Sequence, residues 1–146
     1  MVTAKRPPVT FPVSRTVTAS LVASTVAGIA FGFFMQMMGM MAMIASMAGS
    51  ESLAVGWTMH MTISWIFGLG YGLMTRFSNR YLLLGIAHGV LIWLIGPIIV
   101  MPLMMGMGTM LGEIFTGTQM MNLLTHLGFS LITAAIFLVL TKRQQA

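Results

Sequence analysis

The sequence predicts an all-α integral membrane bundle of four transmembrane helices, built as two repeated helical hairpins. Three observations predict it. The 146 residues are 58% hydrophobic and only 6% charged, with a mean hydropathy of +0.95, whereas a soluble domain devotes about a quarter of its residues to charge. The seven lysines and arginines stand in three short clusters that punctuate long apolar stretches. Within those stretches small residues recur at every fourth position, the spacing that lines one side of a helix.

The elements follow in order. Residues 1–16, MVTAKRPPVTFPVSRT, carry three prolines with Lys5, Arg6 and Arg15 and read as a cytoplasmic tail. The apolar run after it is far longer than the h-region of a secretory signal. It supplies the first span, 17–44, whose ridge is Ser20, Ser24, Gly28, Gly32 and Gln36. The run continues to Ala48, about 48 Å of helix, so its Met-rich end must tilt, bend or project. A loop with Glu51 leads to the second span, 54–75, whose ridge is His60, Ser64, Gly68 and Gly72 and ends on Arg76. Arg76 to Arg80 make a tight turn. The third span, 81–105, carries Gly85, His88 and Gly89, and Pro97 and Pro102 are expected to kink its far half. A Gly-rich loop with Glu113 precedes the fourth span, 119–140, with His126, Ser130 and Ala134 on its ridge, and residues 142–146 close the chain as a second cytoplasmic tail.

Four spans return the chain to the side on which it began. All seven cations then fall on that side, and the only two acids, Glu51 and Glu113, fall on the other. The positive-inside rule places both termini in the cytoplasm and the protein in the cell (inner) membrane. Gly28 corresponds to Gly89, Glu51 to Glu113 and His60 to His126, which suggests that one two-helix unit occurs twice. This layout of a His-initiated, glycine-laddered helix beside a Pro-kinked, Met-ended one resembles small four-helix bacterial membrane proteins of unknown function with a duplicated two-helix unit. The resemblance covers most of the chain and implies no activity.

Composition also excludes several chemistries. Without cysteine there are no disulfides and no thiolate metal sites. The net charge of +5 is not gathered on one basic face, so no nucleic-acid partner is expected. No carboxylate lies within a span, so neither a proton relay of the Asp/Glu type nor hydrolysis by paired acids is expected. GLGYG at 68–72 has the look of a potassium filter, but it lies inside a continuous span, where helix packing accounts for its glycines.

Methionine and histidine remain. Of eighteen methionines, all but Met1 and Met74 lie toward the acidic side, and Met59 and Met61 flank His60. Thioether and imidazole together suit Cu(I). His60 and His126 each precede a cation by sixteen residues, about 24 Å of helix, which sets them at matched depth. The candidate metal set is therefore His60 and His126 with Met35, Met37, Met38, Met101, Met104 and Met105. The candidate haem or tetrapyrrole ligands are His60, His126 and His88. Against this stands the plainer reading of methionine as adaptable filler and histidine as a helix-to-helix hydrogen bonder. The smallness of the chain, its scanty loops and its packing ridges favour a non-enzymatic accessory or assembly subunit. Its partners are then the lipid bilayer and other membrane subunits, or further copies of itself. A copper- or haem-binding protein is the competing class, and a small transporter or channel the third.

Overall fold

The computed structural model describes residues 11–142, and every regular element among them is helical. Helix α1 spans Val13–Met37, α2 Met40–Ser46, α3 Leu53–Met74 and α4 Tyr81–Trp93. Helix α4 runs on through a π-helical segment, Leu94–Val100, into the short α5, Met101–Met104. A 3₁₀ turn at Leu111–Glu113 precedes α6, Gly117–Lys142. Lys5, Arg6, Arg143 and most of the two tails lie outside the described residues.

Three stretches are long and apolar enough to cross a membrane: Val13–Met37, Tyr81–Met104 and Gly117–Lys142. Four were expected. Helix α3 has the length, 22 residues, but Trp57, His60, Ser64, Tyr71 and its glycines dilute its apolar content.

Two details of the first span are also corrected. Helix α1 begins at Val13, directly after Pro12, so Arg15 belongs to the helix and not to a tail. Its Nη2 donates to the Thr141 carbonyl at 2.9 Å, and its guanidinium lies 4.6 Å above the Phe11 ring. That carbonyl is one of the last four of α6, which have no donor within their own helix. The span is also not continuous to residue 44. It breaks at Gly39, whose φ of 73° is left-handed and costs an L side chain about 1–2 kcal/mol.

The same stop occurs twice. Met38 and Met105 both have φ −86° and ψ 2°, and each is followed by a glycine at φ 73°. Met38 N–H donates to Phe34 and Gly39 N–H to Gln36; Met105 N–H donates to Met101 and Gly106 N–H to Leu103. An MMGM string makes both caps. Beyond the first, α2 folds back on α3 and buries Met41, whose carbonyl occupies the space beside Gly56. Beyond the second the chain passes into loop.

Helices α1 and α3 are antiparallel and meet through their small residues. A Cβ at Gly72 would strike Ser20, one at Gly68 would strike Ser24, and one at Gly28 would lie 2.9 Å from Ser64 Oγ. Helices α4 and α6 repeat the plan: Gly85 faces Ala134, and Gly89 faces the backbone of Leu127. Helix α1 also lies against α6, where Phe31 fills the space beside Gly128. Lateral order is thus α3, α1, α6, α4. Tyr71 Oη, donating to the Tyr81 carbonyl at 2.9 Å, helps close α3 onto α4.

One core cluster joins Ala19, Ala23, Tyr71, Ala134 and Phe137; a second joins Ala27, Ile92 and Phe129. Arg15, Arg76, Arg80 and Lys142 share one end of the bundle through these antiparallel pairings, and Glu51 and Glu113 share the other.

The two prolines act differently from the expected kinks. Pro97 has no N–H, so the carbonyl four residues before it loses its α-helical donor. The chain answers with π geometry over seven residues, and Met101 N–H reaches back five residues to the Gly96 carbonyl. Pro102 falls in the first turn of α5, where its missing N–H removes little.

Candidate functional site: three histidines between the helices

His60 projects from the small-residue ridge of α3 and is buried. Its Nε2–H donates to the Gly28 carbonyl of α1 at 2.9 Å. A carbonyl can only accept, so this bond fixes the tautomer and leaves Nδ1 as the lone-pair nitrogen. Gly32 makes the room, since a Cβ there would collide with Trp57 and lie 3.3 Å from His60 Cδ2. The Trp57 ring stands edge-on to the imidazole at 6.1 Å, and its Nε1 donates to Gln36 Oε1 at 2.6 Å.

His88 is 2% exposed. Its Nε2–H donates to the Phe67 carbonyl of α3 at 3.0 Å, so Nδ1 accepts from Ser130 Oγ of α6 at 2.8 Å. The rings of Phe67 and Tyr71 stand edge-on to it at 6.5 and 5.6 Å. One side chain of α4 thus holds two other helices, and both of its nitrogens are spent on protein. The lone histidine beside a GxxxG pair thus bonds within its own hairpin, to α6, and across to the other, to α3, in keeping with the plainer reading of histidine as a helix-to-helix hydrogen bonder.

His126 differs from its expected counterpart. It is half-buried, and Nδ1–H donates to Asn122 of its own helix at 2.6 Å. Among the described residues no hydrogen bond is made by Nε2, which faces Gly96 of the π-helical segment, 3.9 Å from where a Cβ would stand. Phe31, which packs on Gly128, belongs to the same level of α1 as Gly32 beside His60, so the two histidines do share a depth.

The methionines of the candidate set are differently placed from one another. Met37, Met38, Met104 and Met105 are exposed and sit on or next to the two helix-ending caps, while Met35 and Met101 are half-buried. The sulfur of Met61 lies 3.3 Å from the Gly28 Cβ position, beside the residue whose carbonyl His60 bonds. Among the described residues no three or more His, Asp or Glu side chains form a ligand cluster. The chain matches no protein-family model, no curated protein and no solved structure. Taken together, His88 and His60 act as helix ties, and among the described residues His60 Nδ1 and His126 Nε2 are the imidazole nitrogens left without a hydrogen bond.

Proposed function

We propose that the chain is a non-enzymatic accessory or assembly subunit of a larger membrane complex. In this reading α3 is a fourth span, the two hairpins are repeats of one unit, and both termini face the cytoplasm of a cell (inner) membrane. One observation carries it. Helix α3 lies along α1 from Gly72 beside Thr16 and Ser20 to Trp57 beside Gln36, so it crosses wherever α1 crosses. It is nonetheless the one long helix among the described residues that falls short of a membrane span in apolar content. Its outer stripe, Thr58, Thr62, Trp65, Leu69 and Leu73, is exposed. The hydroxyls of Thr58 and Thr62 already donate to their own helix at 2.8 Å, and such groups serve better against another helix than against acyl chains.

A photo-crosslinker at Thr62 in intact membranes should give a discrete adduct with a second membrane protein, and one at Ile86 on α4 should give none. Equal yields at both positions, or a chain that purifies alone in mild detergent with no adduct at 62, would refute the reading. A copper- or haem-binding role is the second reading, favoured by the two uncommitted nitrogens at one depth. Copper uptake or haem absorbance that His60→Ala and His126→Ala each abolish supports it, and a wild-type protein showing neither rejects it.

A further inference from the structure

At the cationic end a groove of about 360 Å³ opens between the start of α4 and the end of α6. Its lining includes Arg80, Tyr81, Leu82, Leu83, Leu138 and Lys142. Arg80 and Lys142 are exposed, come from different helices, and make no ion pair or side-chain hydrogen bond within the described residues. The other cation that the structure ties down, Arg15, is held by Thr141 and Phe11. Among the described residues no acidic side chain lies at this end, because Glu51 and Glu113 both lie at the far end. Below the two charges the walls are leucine, and Leu82 and Leu83 turn outward.

A ligand that fits must carry negative charge at its head and hydrocarbon below it. We infer that this groove is a binding site for the headgroup of an acidic phospholipid, with the phosphate between Arg80 and Lys142 and an acyl chain along Leu82, Leu83 and Leu138. The leucines decide between a lipid and a soluble phosphate, which would gain nothing from an apolar wall. Both flanking helices are among those apolar enough to cross a membrane. The inference therefore rests on membrane insertion, not on the partner surface of α3.

The test is native mass spectrometry of the detergent-purified chain with phosphatidylglycerol, and with phosphatidylcholine of the same acyl chains. A juxtamembrane cation contributes about fivefold in affinity, so Arg80→Gln or Lys142→Gln should each weaken retention of phosphatidylglycerol by about fivefold and the pair by about 25-fold. Arg76→Gln should leave retention unchanged, phosphatidylcholine should be held no better by wild type than by the double variant, and millimolar inorganic phosphate should not displace the lipid. Circular dichroism of each variant checks that helicity is kept, and if the double variant loses it the two single variants carry the comparison. Retention that survives both single substitutions overturns the site. Equal loss with Arg76→Gln shows only a diffuse positive field, and displacement by phosphate shows a soluble-anion site; both overturn it. Failure of membrane insertion is read separately, as extraction of the chain by alkaline carbonate without detergent.

Discussion

Gly68 and Gly70 lie two residues apart on α3, and alanine at these sites should act with opposite sign. At Gly68 a Cβ would be driven into Ser24 Oγ and Cβ, and it would also stand 3.0 Å from the Ser20 carbonyl. Two of those neighbours are stiff: Ser24 is fully buried and the Ser20 carbonyl is helix backbone. The helices must separate, and overpacking of this kind costs about 1–3 kcal/mol. Alanine returns about 0.5–1 kcal/mol because it is the better helix former. Gly68→Ala should therefore destabilise by about 1–2 kcal/mol. At Gly70 the one neighbour within reach is His88 Nε2 at 3.9 Å, an ordinary contact. There only the propensity gain remains, so Gly70→Ala should be neutral or stabilise by up to about 1 kcal/mol. Reversible unfolding in mixed micelles, followed by far-ultraviolet circular dichroism, reads both. Equal shifts for the two variants, or a Gly68→Ala protein as stable as wild type, would mean that the α1–α3 ridge does not pack as described.

Larger wedges extend the same logic: Gly72→Leu and Gly28→Leu should destabilise far more than Leu82→Ala, whose side chain is exposed, and equal tolerance in a thermal-aggregation assay would place the ridges against lipid. His88→Ala removes hydrogen bonds to two helices and should cost about 0.6–1.7 kcal/mol, the range for interhelical bonds in membranes. His126→Ala, which loses a bond within its own helix, should cost less, and the reverse order in the same unfolding assay would contradict the assigned ties. For topology, cysteines at positions 51 and 113 should react with an impermeant maleimide from outside the cell and cysteines at the termini should not; a terminus labelled from outside would sink the orientation.

The sequence by itself determined the class of the fold and much of its surface logic. Helical periodicity and scarcity of charge need no tertiary contact to be read, so α6 and α3 lie within two residues of their expected limits. The ridge of Ser20, Ser24, Gly28 and Gly32 was legible for the same reason, since small residues four apart can only be useful where backbones approach. What met that ridge was decided by the fold: the α3 residues Gly72, Gly68 and Ser64 enter it in antiparallel register.

Other features depended on neighbours that periodicity does not encode. Gly39 interrupts an apolar run without changing its composition, so length alone required the Met-rich end to tilt, bend or project, and the fold placed the break at the Met38–Gly39 cap, with its twin at Met105–Gly106. Pro97 announced a disturbance, but whether the helix kinks or widens into a π turn depends on which carbonyls can find donors. Histidine shows the division most clearly. Depth along a helix follows from counting residues, so the pairing of His60 with His126 needed only their spacing from Arg76 and Lys142. The chemistry of an imidazole depends on which nitrogen holds the proton, and that is set by the facing atom. Only the tertiary structure put the Gly28 carbonyl against His60, Phe67 and Ser130 against His88, and left Nε2 of His126 open toward Gly96.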